Sequence, residues 1–339
     1  MPRYALLLRA SGNRVYGESA FGLAQAELAR LDAGLAVGGR STIGGVDYLL
    51  VEAEEPLDDT RLAVVSNLSS LQALFELESD GRLRPLPWTP RSLLDEDLLT
   101  IQRYAGKTNE AFTHLLVNVA LAACSGFERL RAGERLRLLD PACGRGTTLN
   151  RAAVYGMDAI GIDLDHRDIE AYDQFLTTWL KDKRLKHTVE RATLRKGRPS
   201  PAHRVTITYG EGRDVRTHRI VDLVHDDTAR ARDHFKARTF DLLACDLPYG
   251  VQHGSRPADG TLQRGPEGLL ESALPVWHDL LRPGGAAALS WNRRTLGRPR
   301  LTALVESAGF DLVPAADDEL VHRVDRSITR DVLVASRPA

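Results

Sequence analysis

Cysteine, methionine and tryptophan are scarce in this chain, with three, two and four among 339 residues. Cys124, Cys143 and Cys245 lie far apart and form no CxxC pair. That spacing argues against a disulfide framework and against a zinc site, so no metal is expected, and a reducing cytoplasm is the expected setting. No apolar run approaches the roughly 18 residues that a membrane span needs. The apolar core of Met1–Arg9 is too short for a secretory signal and reads as a first β-strand. Residues 1–98 contain no lysine and lean acidic. A net charge of −1 excludes a polycation that seeks nucleic acid along its whole length.

What basic character there is gathers in one place. Residues 181–220 hold twelve lysines and arginines against four acids. The segment reads either as a solvated insertion or as a patch that tracks phosphates. Length suggests two domains, cut here as 1–98 and 99–339, with Pro87, Pro90 and Asp95-Glu96-Asp97 as the linker. The first reads β-α-β-α-β: strands at Tyr4–Arg9, Val46–Glu52 and Leu83–Leu86, helices at Glu18–Leu31 and Leu62–Leu77, hence a small α/β or α+β layer. In the second, strands at 137–140, 159–163, 205–209, 220–224, 240–245, 286–290 and 331–336 alternate with helices. That pattern predicts a Rossmann-like, doubly wound parallel sheet.

Two stretches carry chemistry. Leu138–Leu149 reads as a strand, a glycine turn and a helix start. Gly144 and Gly146 let the backbone bend and leave room for a ligand against it, and amides at the helix N-terminus can bind a carboxylate. Seventeen residues after Gly146, Asp163 ends the next strand and can accept both ribose hydroxyls. A dinucleotide site is the rival, but Leu149 stands where its third glycine or alanine belongs. DPACGRGTTL resembles the DPxCGxGT motif of class I methyltransferases acting on nucleic-acid amines. The resemblance implies S-adenosylmethionine as cofactor, with Asp140, Gly144 and Gly146 around its methionine part and Asp163 on the ribose. Pro141, Ala142, Cys143, Thr147 and Leu164 beside them, Thr108 ahead of the first helix and Asp246 further on complete the implied cofactor contacts. Asp226 or Asp227 would bind the adenine amine, Asp227 being favoured; the pair also reads as a helix N-cap.

The second stretch is Asp246-Leu247-Pro248-Tyr249-Gly250, delivered by a buried strand. An exocyclic base amine is a poor nucleophile because its lone pair is delocalised into the ring. A carboxylate and a backbone carbonyl that accept its two protons can hold the nitrogen in line with a methyl donor. Asp246 can also draw off the proton, Pro248 stiffens the turn, and Tyr249 offers a ring for a planar base. The stretch resembles the (D/N)PPY motif of amine-directed methyltransferases, with Leu247 in place of the first proline. Together with Arg103–Asn109 and DPACGRGT, the run DLPYGVQHG is similar to the THUMP-associated tRNA guanine-N2 methyltransferases, over roughly residues 100–310.

The resemblance implies an enzyme that methylates an exocyclic base amine, guanine N2 in tRNA or other RNA, and the basic charge of 181–220 makes that segment the expected RNA contact. A small-molecule or peptide amine is the alternative acceptor, favoured by the acidic first domain and opposed by the basic segment. A non-catalytic RNA-binding protein on the same fold is a third reading. An NAD oxidoreductase is a fourth, and it leaves Asp-Leu-Pro-Tyr unexplained.

Overall fold

The computed structural model describes residues 1–10, 14–31, 34–194, 202–210, 217–248, 266–316 and 318–339. It divides into two compact units, residues 1–91 with 314–332, and residues 92–313 with 333–339.

The first unit opens with β1 (Arg3–Leu8), α1 (Arg14–Arg30), β2 (Leu35–Ile43), β3 (Val46–Ala53), α2 (Asp59–Ser66), β4 (Leu71–Leu77) and β5 (Leu83–Pro85). The strands form one antiparallel sheet in the order β2-β3-β1-β4-β5. Between β2 and β3, Gly44 and Gly45 both sit at positive φ, 58° and 83°. A two-residue hairpin turn of this hand requires that at both positions. The expected helix over Leu62–Leu77 divides into α2 and β4. Asp58 caps α2 by accepting from the Arg61 amide at 2.8 Å, and the Asn67 amide group donates back to Ala63 at 2.7 Å. Short polar side chains of this kind compete with the helix for backbone groups. The fully buried Glu27 then draws the chain in, accepting from the Ser69 amide at 3.0 Å and from its hydroxyl at 2.5 Å.

The second unit runs α3 (Asp97–Thr100), α4 (Glu110–Ala123), α5 (Gly126–Arg131), β6 (Arg137–Asp140), α6 (Thr147–Val154), β7 (Asp158–Asp163) and α7 (His166–Asp182). It continues with β8 (His187–Leu194), β9 (Ala202–Tyr209), β10 (Arg219–His225), a short 3₁₀ turn at Thr228–Asp233, and β11 (Phe240–Asp246). Next come α8 (Pro266–Leu280), β12 (Leu281–Asn292), α9 (Arg298–Ser307) and β13 (Asp311–Leu312). The chain passes through β14 (His322–Arg323), in the first unit, and returns within β15 (Thr329–Ser336). The sheet order is β13-β15-β12-β11-β6-β7-β10-β9-β8. Neighbours from β12 to β10 are parallel. β9 pairs antiparallel with β10 and β8 antiparallel with β9, so much of the basic segment is ordered strand rather than loop.

Alternate residues of the central strands face opposite sides. Leu243, Cys245, Leu289 and Trp291 join Trp277, Leu280, Leu301 and Val305 of α8 and α9 in one buried core. α4 and α6 cover the other face, where Leu115, Leu116, Val119, Leu149 and Ala152 are buried. Helices on both faces of a largely parallel sheet make the doubly wound architecture that the sequence predicts. The chain winds outward through β6, β7 and β10, then crosses back to β11 and β12. The strand order therefore reverses between β6 and β11. Ligands of such sheets bind in the crevice outside the strand C-termini at that reversal.

Candidate functional site

Parallel strands bring their C-terminal ends to one edge. Asp140 ends β6, Asp163 ends β7, His225 ends β10 and Asp246 ends β11. Around them lies a cleft of about 1030 Å³. Of the residues expected at a cofactor or acceptor site, Thr108, Asp140, Pro141, Ala142, Cys143, Gly144, Thr147, Asp163, Leu164, Asp227, Asp246, Leu247 and Pro248 line it. Tyr249 lies outside the described residues. Gly146 and Asp226 do not line the cleft, and each has another setting.

Gly146 begins α6 at φ 76°. A Cβ there would come within 2.4 Å of the Tyr172 ring, so the glycine lets turn and ring pack together. Gly144, at φ 48°, has only Asp168 Oδ2 within reach of a Cβ, at 3.9 Å, and otherwise opens onto the cleft. The Gly144 amide donates to Asp163 Oδ2 at 2.7 Å, and the Asp165 amide donates to Oδ1 at 2.8 Å. Asp163 thus pins the glycine turn through both of its carboxylate oxygens. Asp226 turns inward, its Oδ2 2.7 Å from Nε2 of the fully buried His234 side chain. Asp227 caps the 3₁₀ turn, accepting from the Ala229 amide at 2.9 Å, while also lining the cleft.

Asp140 is 3% exposed and accepts from the Ala142 amide at 3.2 Å. Burial pushes its carboxyl up to about 7, against the pull of the Ala142 amide and the Thr148 hydroxyl. At the neighbouring strand end, Asp246 is held from two sides. The Thr108 hydroxyl donates to Oδ2 at 2.7 Å, and the buried Ser290 hydroxyl donates to Oδ1 at 2.8 Å. The Leu247 amide donates to the Ser290 carbonyl at 2.8 Å, which ties the Asp-Leu-Pro turn to β12. Thr108, expected at a cofactor, therefore has the acceptor-motif carboxylate as its hydrogen-bond partner.

Some cleft groups carry little local sequence signal. Arg145 pairs with Asp168 at 2.8 Å and lies 5.0 Å from the Tyr104 ring centroid. Tyr104, marked in the sequence only by its place in Arg103–Asn109, meets the Thr147 hydroxyl at 2.9 Å; burial raises its phenol pKa. Ser290 sits one strand over from Asp246 and is linked to it only by the parallel register of β11 and β12. Burial also pushes all three free cysteine thiols up, which disfavours a thiolate nucleophile.

The basic segment is divided in its commitments. Lys183 pairs with Asp95 and Asp97 at 2.7 and 2.6 Å. Arg191 holds Asp173, Arg204 holds Asp222, and Arg219 donates to the Gly156 carbonyl. Lys181, Arg184 and Lys186 are exposed. Arg195, Lys196, Arg198, Arg213 and Arg216 lie outside the described residues. No helix among the described residues is long and apolar enough to cross a membrane.

No protein-family model matches the chain, and no curated protein matches it. Among solved structures, the chain is similar to a TehB-like SAM-dependent methyltransferase from Corynebacterium glutamicum, at 18% identity and TM-score 0.37, over 62% of this chain and 85% of that one. It is also similar to the T. thermophilus 16S rRNA N2 G1207 methyltransferase solved with AdoMet and guanosine, at 17% identity and TM-score 0.38, over 89% of this chain and 58% of that one. A third similar structure is the [4+2]-cyclase SpnF, at 14% identity and TM-score 0.40, over 68% of this chain and 82% of that one.

Proposed function

We propose that the second unit is an S-adenosylmethionine-dependent N-methyltransferase acting on an exocyclic amine of a nucleic-acid base, with guanine N2 of RNA, tRNA above all, as the leading acceptor. One observation carries this reading. The Asp140–Gly146 turn and the Asp246-Leu247-Pro248 turn end adjacent parallel strands at the sheet's reversal point, and both face one cleft. A donor held by the first turn and an amine held by the second would meet at that point.

The residues present fit such a cofactor. Gly144 gives a floor on which no Cβ projects, and a carboxylate stands at each of two neighbouring strand ends. Asp163 would take the ribose hydroxyls and Asp227 the adenine amine, with the α6 N-terminus toward the carboxylate. When bound, the cofactor supplies an electrophilic methyl group on sulfonium. Asp246 accepts one amine proton and the Leu247 carbonyl region the other, orienting the nitrogen lone pair. The Thr108 and Ser290 hydroxyls fix the Asp246 carboxylate, so little reorganisation is needed as charge develops on the amine. Asp246 is then placed to take the proton that the methylated nitrogen sheds. A cytoplasmic setting fits the three free thiols.

A second reading keeps the chemistry and changes the acceptor to a small-molecule or peptide amine. It is favoured by the intramolecular partners of Lys183, Arg191, Arg204 and Arg219, which leave fewer cations for phosphates. A non-catalytic RNA-binding role predicts no label on any acceptor. Incubating the protein with methyl-labelled S-adenosylmethionine and separate pools of tRNA, rRNA, DNA and small metabolites tests all three. Label in an RNA pool, removed by Asp246→Ala, is the expected result; label only in metabolites, or in none, overturns the RNA assignment.

A further inference from the structure

Three histidines meet at the edge of the cleft. His225 ends β10, and its cross-strand partner on β9 is His203. On the other side, β10 pairs in parallel with β7 so that His225 lies opposite Asp163. The chain turns after Asp163 and starts α7 at His166. Sheet register therefore brings three residues from three elements to one level. Their ring centroids are 5.0 Å apart for His166 and His225, 5.4 Å for His166 and His203, and 5.9 Å for His203 and His225. One nitrogen from each lies within 4.8 Å of the other two.

Each imidazole has an outward partner on one nitrogen. His225 Nε2 lies 3.1 Å from the Leu164 carbonyl, which fixes that nitrogen as the N–H donor. Its Nδ1 is buried with no hydrogen-bond partner. His166 Nδ1 is 3.4 Å from the Glu170 carboxylate, one turn along α7. His203 Nδ1 is 3.4 Å from the Thr193 hydroxyl on β8. Metal-binding histidines characteristically donate the second ring N–H to a carbonyl or carboxylate, which orients the ring and fixes the tautomer. Here that assigns Nδ1 of His225 and Nε2 of His166 and His203 as the nitrogens a metal would take.

We propose that His166, His203 and His225 bind a divalent transition-metal ion of the zinc type, with an open fourth position toward the cleft that His166 and His225 line. Three neutral imidazoles suit zinc, copper, nickel or cobalt rather than magnesium or calcium, which prefer oxygen. Bonds of about 2.0–2.1 Å in tetrahedral geometry put the nitrogens roughly 3.3 Å apart. Small rotations of the partly exposed rings bring them in from their present spacing. Binding would also satisfy the orphaned Nδ1, whose burial without a partner is otherwise costly. Sequence spacing hid the site, since the ligands are 37 and 22 residues apart and no local motif links them. The site does not depend on the methyltransferase reading.

The test is titration of the full chain with Zn²⁺ alone, followed by calorimetry, with Co²⁺ replacing Zn²⁺ for its absorption spectrum. One equivalent is expected to bind. His203→Ala is expected to weaken it by more than the roughly 10–100-fold that loss of an outer partner costs, and Glu170→Gln to weaken it within that range. X-ray absorption on the unaltered chain reads the ligands directly, with three imidazole nitrogens expected at about 2.0–2.1 Å. Absence of stoichiometric binding, binding unchanged in a folded His203→Ala chain, or an oxygen-only coordination shell would each overturn the proposal.

Discussion

The two units place their acidic residues differently at the sheet edges. In the first, buried polar groups hold the fold: Glu27 accepts from Ser69, Asn67 accepts from the Arg91 amide, and Ser66 accepts from the Thr89 amide. In the second, Asp140, Asp163, Asp227 and Asp246 face one cleft. Topology accounts for the difference. Antiparallel neighbours end at alternate edges, so a meander scatters its loops over both ends. Parallel neighbours all end at one edge, and the reversal between β6 and β11 opens a crevice there. Acidic residues at strand ends thus line one cleft in one unit and are surface or structural groups in the other.

A single substitution at the second unit's edge should separate the two most sharply while leaving its fold intact. Asp246→Ala removes both accepting oxygens, and turnover on the true acceptor should fall by roughly 10²–10⁴. Cofactor affinity measured by calorimetry should change little. Exchanging a first-unit carboxylate such as Asp47, which pairs with Arg40 on the surface, should leave turnover unchanged.

Glycines extend the contrast to stability. Gly81 in the first unit has φ 86° and open space around a Cβ, so Gly81→Ala should cost about 1–2 kcal/mol of backbone strain. Gly146→Ala meets the Tyr172 ring as well and should add about 1–3 kcal/mol of overpacking. Urea titration of the two variants reads the difference.

Asp140 links the edge to pH. Its folded carboxyl titrates near 7, well above the unfolded value of 3.8. Between these values the unfolded chain has lost a proton that the folded chain keeps. This group's contribution therefore falls as pH rises through that window and is level above about 7. Asp140→Asn should flatten the wild-type slope there, seen in urea midpoints measured from pH 4 to 8. An unchanged slope would mean that Asp140 is ionised when folded.

The basic segment should respond most weakly. Replacing Lys181, Arg184 and Lys186 with glutamine should reduce the salt slope of RNA binding by about 0.7 for each phosphate no longer neutralised. A slope that is unaltered marks these cations as a solvated face.

The central strands and both turns were legible because each strand is a short buried run closed by a turn signal. Asp163 and Asp246 were legible for the same reason, and Asp227 only through the family resemblance, beside Asp226, which does not line the cleft. β2 was not, since Gly38 and Gly39 interrupt its alternation at a register shift and its burial is only partial. β8 was hidden by sparse apolar residues on an exposed strand. The α2–β4 break is masked by apolar spacing that runs through Asn67–Ser70, although Asn67, Ser69 and Ser70 mark it locally; Glu27, 42 residues away from Ser69, adds the tertiary hold. The same limit conceals Ser290 behind Asp246 and Tyr172 behind Gly146, since tertiary register creates both pairs.

The methyltransferase reading of the second unit rests on its carboxyl edge binding a nucleoside-bearing methyl donor. Calorimetry of S-adenosylhomocysteine against the full chain decides this, with NAD as the competing ligand and Gly144→Val and Asp163→Ala as variants. One site for S-adenosylhomocysteine is expected, with no response to NAD, loss of binding in Gly144→Val and marked weakening in Asp163→Ala. Binding of NAD without S-adenosylhomocysteine, or S-adenosylhomocysteine binding that both variants leave intact, would show that the edge holds no such donor.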